Sequence, residues 1–295
     1  MSRTNKDRLI RQAVGGEITN PIFRAGGYRI THDGQPVVLP SVGSITYNVR
    51  VGDRAGGWVG DHIEPGVSIR NLGKDKNLPD ANIGLNFLAC VGNEAEIISG
   101  KAEGEKGVVT GKHGGIEHVI IDFSSDILEK LRIADKIMIK AFGIGLKLVD
   151  YPTVKVMNLA PTFLEKIDIA YEKQVVVPVT HRIPAQLMGS GLGAATCYHG
   201  DYDIQLFDKG TVEEYGLDDL RLGDLVAILD TDHSFGRVYK QGSLSVGIIV
   251  HSDCVTSGHG PGVTTLFTCN DGTLDVRIDP AANIANILEL RAAVG

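Results

Sequence analysis

Four absences narrow the class of this chain. Its 4 cysteines, Cys90, Cys197, Cys254 and Cys269, include no C-x-x-C pair, so a zinc knuckle is not expected. Such sparse usage predicts buried thiols in a cytoplasmic protein rather than a disulfide framework. No run of about 18 apolar residues occurs, which predicts no transmembrane span. The opening MSRTNKDRLIRQAVGGEI has no long apolar core, which predicts no secretory signal. Basic clusters are absent too. The formal net charge is -7, and Arg8, Arg11, Lys101, Lys106 and Lys112 are scattered. Nucleic-acid binding rests on Lys/Arg clusters that release counterions, so neither nucleic acid nor a membrane is expected as partner. A local basic pocket for a small anion is compatible with this balance.

What is present is ordinary globular material. The 295 residues are 43% hydrophobic and 22% charged, enough for a sizeable core. Strand patterns dominate. YRITHDGQPVVLP carries a hairpin signal at Asp33-Gly34, and Ser44–Val51 alternates as a strand should. Further strands are expected at Gly84–Cys90, Ala95–Ser99, Val108–Thr110, Glu117–Phe123, KIMIKAF, VKVMNL, LVAILD and SLSVGIIVHS. QVVVPVT reads as an edge strand or bulge because of its proline. Helices are expected at Lys6–Ala13, Ser125–Leu131 and PTFLEKI, with a helical turn at PAQLM and the longest helix over Pro280–Ala293. The stretch 52–82 is Gly-, Asp- and Pro-rich and barely periodic, which points to function. With 37 glycines, the whole reads as mainly β with short peripheral helices, a β-barrel or packed sheets.

Two stretches repeat each other. Gly107, Thr110, His113 and Gly114 match Gly193, Thr196, His199 and Gly200 with identical spacing. Leu131-Arg132 and Asp135 then match Leu220-Arg221 and Asp224, and Phe142-Gly143 matches Phe235-Gly236. The expected organisation is an N-terminal β-rich segment (1–100), a first repeat-like unit (101–180) and a second (181–295) with the C-terminal helix, together forming one compact assembly. A weaker echo links His62-Ile-Glu-Pro-Gly-Val-Ser to His259-Gly-Pro-Gly-Val-Thr.

Six of the 9 histidines lie in Gly-rich or acid-rich contexts. Imidazole is a general acid/base near neutral pH and the commonest metal ligand. GDHIEPG offers Asp61, His62 and Glu64; on an extended segment the last two share a side. HGDYD offers His199, Asp201 and Asp203. DTDHSFG offers Asp232 and His233 after a buried strand, and HSDC…GHGPG offers His251, Cys254 and His259. The expected catalytic residues are His62, Glu64 and His259. A divalent metal ion is expected on His62, Glu64, His199, Asp201 and His259. Trp58, Asp61, His113, Asp232, His233 and His251 are expected to contact a small-molecule ligand. Against each stands a bland alternative: a solvated turn, a polar strand face, or an inert buried thiol for Cys254.

P-loop, H-E-x-x-H and G-x-S-x-G signatures are missing. The combination of GDHIEPGVSIRN, LRLGDLVAILDTDH and HSDC…GHGPGVTTLFT resembles the bacterial and archaeal family called domain of unknown function 4438. The resemblance covers essentially the whole chain. It implies a two-part, mostly β protein and carries no catalytic residues across. A fainter likeness joins HGDYDI and Val59-Gly60-Asp61-His62 to the acetamidase/formamidase family, with the two segments in reversed order.

The functional expectation is a metal-assisted hydrolase acting on a small polar metabolite, at an amide or other C–N bond. The alternatives are a non-catalytic small-molecule binding or regulatory protein, and an assembly subunit. A homo-oligomer is expected.

Overall fold

The computed structural model describes residues 2–23, 27–71, 73 and 81–291. The first half of the chain runs β1 (Gln12–Ile18), a small hairpin of β2 (Arg29–Ile30) and β3 (Pro36–Val37), β4 (Ile45–Thr46), β5 (Gly66–Arg70), α1 (Ala81–Leu88), β6 (Glu94–Ile97), β7 (Lys106–His113), β8 (His118–Asp122), α2 (Ser125–Leu128) and β9 (Lys136–Ala141). Strand order is β1-β9-β6-β7-β8-β5, and β5 pairs back onto β1, so six strands close into a barrel. Closure leaves no free edge among them. Alternation in β9 shows how the sequence builds the wall. Ile137, Ile139 and Ala141 are buried while Lys136 and Lys140 face water. Burying one such isoleucine contributes about 1.5–3 kcal/mol, and Ile139→Asp would forfeit it and strand a charge.

The second half runs β10 (Lys155–Val156), α3 (Pro161–Leu164), β11 (Ala170–Tyr171), β12 (Val175–Val179), β13 (His181–Ile183), β14 (Tyr202–Asp203), α4 (Lys209–Tyr215), β15 (Leu225–Asp232), β16 (Val238–His251), β17 (Gly262–Cys269), β18 (Leu274–Ile278) and α5 (Ile284–Ile287). One sheet has the order β10-β17-β16-β15-β13, with β14 on β17; a second has β11-β12-β18. The architecture is thus mainly β with short helices, as the sequence pattern implies.

The two halves share a core. β8 is buried on both faces. Val119 and Ile121 fill the barrel, while Ile120 packs with Val246, Ile248 and Val250 of β16. β7 reaches the same seam by a register shift between Val109 and Gly111. Val109 belongs to the barrel interior, yet a Cβ on Gly111 would stand 2.4 Å from Cγ1 of Val250. A bulge of this kind re-aims the residues beyond it, and His113 is the last residue of β7.

Several local expectations are corrected. Gly84–Cys90 is not a strand: α1 runs through it as far as Leu88, with Leu85 buried on the barrel and the amides of Asn82 and Asn86, one turn apart, both donating to the Glu117 carbonyl. Lys6–Ala13 is one 3-10 turn (Lys6–Arg8) that gives way to β1, because barrel pairing with β9 starts at Gln12. The tail helix shrinks to Ile284–Ile287, capped by Asn283; residues 292 and 293 lie outside the described residues. Ser44–Val51 keeps only β4, and the irregular stretch 52–82 contains β5; residues 72 and 74–80 of it are not described. β12 is the central strand of its sheet, but β11 pairs only with Val175 and Val176, so Pro178 faces a strand on one side only. The hairpin at Asp33-Gly34 forms as expected, with Gly34 at φ 87°.

The repeat is real in its second part. Each copy has a helix, a Leu-Arg turn closed by an aspartate, then a strand. Arg132 N donates to Asp135 Oδ2 at 2.8 Å, and Arg221 N donates to Asp224 Oδ2 at 2.9 Å. Arg50 N and Asp53 Oδ2 repeat the contact at 2.7 Å, a third instance. Its first part diverges: residues 107–113 are strand, residues 193–199 are turns. The barrel draws strands from both 1–100 and 101–180, since β6 pairs with β7.

Candidate metal centre

The seam gathers five histidines and four carboxylates. β7 ends on His113 and β8 begins on His118. The loop entering β5 brings Asp61, His62 and Glu64. β14 contributes Asp203 next to Asp201; β16 ends on His251, and the loop entering β17 brings His259. The echo between His62 and His259 therefore has a structural counterpart. Each precedes a Pro-Gly that opens a strand, and the two rings meet, Nε2 to Nδ1, at 3.2 Å.

His113 and His251 stack with ring centroids 4.1 Å apart, and His62 lies 5.1 Å from His251 and 5.7 Å from His113. The Nδ1 of His251 donates to the Ser252 carbonyl at 2.9 Å. That of His113 meets Glu64 Oε1 at 2.6 Å. Both rings are thus oriented from one side, as metal-ligating histidines usually are, and their Nε2 atoms are left for a ligand. His113, His251 and Asp201 each offer one ligand atom, all within 4.8 Å of one another, and all three residues are buried. Asp201 Oδ2 and His251 Nε2 stand 2.8 Å apart, yet neither has an aligned hydrogen-bond partner. Asp201 is steadied through its other oxygen by Gly114 N at 2.7 Å. A second trio, His62, Cys254 and His259, lies alongside. Asp203 spans the two, with Oδ1 3.4 Å from His251 and Oδ2 2.8 Å from His259.

The electrostatics favour a cation. Burial opposes ionisation of Asp201, but His251 and His113 outweigh it and hold the carboxyl below its usual range. Burial likewise opposes charge on His251, yet Asp201 and Asp203 raise it to about 10. His113 moves the other way, lowered by burial and by His251. The centre therefore carries more negative charge than its imidazoles neutralise without taking up protons, and a dication would replace those protons. The residues fit such an ion, in nitrogen and oxygen donors suited to zinc or a similar metal.

Expected site residues fall into three groups. His62, His113, Asp201, His251 and His259 come together. Glu64 is beside them in a different role. It is 1% exposed, and its two oxygens take His113, His118, Ser68 Oγ at 2.6 Å and Gly43 N at 2.7 Å. It positions ring nitrogens rather than facing the cavity. His62 has φ 54°, so the Asp61–Glu64 segment is not extended. Asp61 is buried among Arg29 Nε at 2.5 Å, Cys254 Sγ at 2.9 Å and His62, and also serves to position. The remaining group lies apart. His199 sits at the cavity wall, 3.3 Å from Glu117 and against Phe87, outside both trios. Trp58 donates to the Arg54 carbonyl at 2.7 Å. Asp232 is taken by Ser234 and Asn270, and His233 is buried on Tyr202. Sequence reading missed His118, whose setting in an apolar strand gives no signal, and Arg237.

Above the centre is a cavity of about 430 Å³, lined by His62, His113, Asp201, Asp203 and His259 together with Arg29 and Arg237. Much of its remaining wall is small: Gly114, Gly115, Ser190, Gly191, Ala194 and Ala195. A larger cavity of about 670 Å³ elsewhere has no histidine; of the lysines on its wall, Lys106 and Lys140 are already paired with Glu94.

Fold and site define a barrel-containing β protein with a histidine–carboxylate centre at the seam of its halves. The chain belongs to the family described as Domain of unknown function (DUF4438); the N-terminal model matches residues 28–165 and the C-terminal model residues 166–288. It is similar to the solved protein described as "Crystal structure of TM1086", with 47% identity and a TM-score of 0.91 over 97% of this chain and 98% of that one. A search of curated proteins found no match. The likeness to the acetamidase/formamidase family finds no support in these matches. All four cysteines are free and buried. Among the described residues no helix is long and apolar enough to cross a membrane.

Proposed function

We propose that the centre binds a divalent metal ion and that the protein is a hydrolase of a small polar molecule, with amide and other C–N bonds the class to test first. The observation that carries this reading is the trio of His113, Asp201 and His251. Its donor atoms converge, its histidines are oriented through Nδ1, and two of its atoms have no hydrogen-bond partner. A bound metal would supply an activated water and polarise a carbonyl. The chain's own part is to exclude bulk water and to handle a proton. Asp203 orients His259 at the cavity wall, in the arrangement of a general acid/base pair. A homo-oligomer belongs to the same proposal, to be checked by light scattering.

The test is metal content by mass spectrometry on untagged protein purified without chelators. Near-stoichiometric metal is expected in wild type and in His199→Ala, and little in His251→Ala or His113→Ala. Amide and lactam substrates would then be screened. Metal without turnover of any substrate would point to a binding or regulatory protein; no metal in wild type would overturn the proposal.

A further inference from the structure

Arg237 is the unexplained charge of the cavity. It is 4% exposed, and among the described residues it makes no ion pair. Its Nη1 and Nη2 reach the carbonyls of Gly191 and His199, at 3.3 and 3.4 Å, and the guanidinium also meets the Cys197 thiol, all of them uncharged partners. Its Nε has no aligned hydrogen-bond partner among the described residues. The Tyr202 ring lies 5.4 Å from its guanidinium, and the Cys197 thiol beside it is pushed up by burial in spite of that charge, so it is neutral near pH 7. A guanidinium stays ionised at any working pH, and burying it without a counter-charge is costly. The other arginine of the cavity, Arg29, is already satisfied by Asp61 and Ser41. The carboxylates of the cavity make no ion pair with Arg237: Asp203 holds His259, and Asp201 faces His251 and takes the Gly114 amide.

We propose that Arg237 binds an anionic group of the substrate, a carboxylate or a phosphate, while the reacting end of the same molecule faces the histidine–carboxylate centre. The fork of a guanidinium matches either anion with two parallel hydrogen bonds. The substrate is then a small molecule with its polar, cleavable group at one end and an anion at the other, within a cavity of about 430 Å³. The short wall residues leave backbone groups near that anion. This assignment deepens the hydrolase reading and rests on it only for what happens at the reacting end.

The test is isothermal titration of succinate and, separately, of inorganic phosphate into wild type, Arg237→Gln and Arg237→Lys. Each is run metal-loaded and metal-stripped, with metal content measured in parallel. Wild type is expected to bind at least one anion in both metal states; which one binds tells a carboxylate from a phosphate. Arg237→Gln should weaken it tenfold or more and Arg237→Lys several-fold, with metal content unchanged. Failure of wild type to bind either anion, or equal affinity in Arg237→Lys, overturns the assignment; the lysine variant decides if the glutamine variant does not fold. Absence of metal with Arg237-dependent anion binding intact would sink the hydrolase reading alone.

Discussion

Gly262 faces Asp201 so closely that a Cβ built on it would stand 1.9 Å from Oδ2 of Asp201 and 2.3 Å from Nε2 of His251. The space of one methyl group is thus framed by the two atoms of the His113–Asp201–His251 trio that lack aligned partners. Gly262→Ala should displace both donors without deleting a ligand. Metal content is expected to fall at least tenfold while the circular dichroism spectrum stays that of wild type. Full metal occupancy in the alanine variant would show that the ion sits elsewhere.

Glu64→Gln removes the charge that orients His113 and His118 but keeps the shape. Replacing an outer partner of this kind typically costs 10–100-fold in metal affinity. Competition with a chelator should reveal that loss, and His199→Ala, measured beside it, should show none. Equal losses in the two variants would return His199 to the centre.

His233 is buried against Tyr202, and its Nδ1 meets Thr265 Oγ1 at 3.0 Å. Burial, then Arg237, lowers it to about 3. In the unfolded chain it titrates near 6.5. Between those values the unfolded state holds the extra proton, so stability falls as pH drops, by about 1.4 kcal/mol per unit at most. His233→Gln should flatten that slope by one proton in urea unfolding at pH 4.5, 5.5 and 6.5. Parallel curves for the two proteins would count against a neutral buried imidazole.

Asp224 is fully buried and holds Arg221 N and the Asn283 amide at 2.9 and 2.8 Å. Burial raises it above the usual carboxylate range, against the pull of Asn283. Asp224→Ala leaves two donors unpaired, at about 1–3 kcal/mol each. Asp135→Ala, in the matching turn, should destabilise less because Asp135 lies nearer to water, at 9% exposed. Thermal melts of the two variants check the ranking.

Much of the fold was legible where period and burial agree. β9, β15 and β16 read as apolar strands and are strands. α1 was misread because Leu85 and Phe87 mimic alternation, while the asparagines that fix it as a helix bind the distant Glu117 carbonyl. Closure of β5 onto β1 carries no local signal. In the site, glycine-rich surroundings pointed to His62, His113, His251 and His259, whose rings the fold brings together. They pointed equally to His199, since the repeat matches it to His113. Only the packing separates the two: a Cβ on Gly200 would lie 2.6 Å from the Gly114 Cα, so the two His-Gly motifs abut while their rings part. Glu64 was taken for a ligand because spacing cannot tell a residue that faces a cavity from one that braces its neighbours.

The donors of the centre come from both matched regions: His62 and His113 precede residue 165, while Asp201, His251 and His259 follow it. Neither region can be inherited, deleted or exchanged alone without dissolving the centre. An ion held there would also act as a rivet across the seam, so that a chelator would loosen the joint between the halves as well as silence the chemistry.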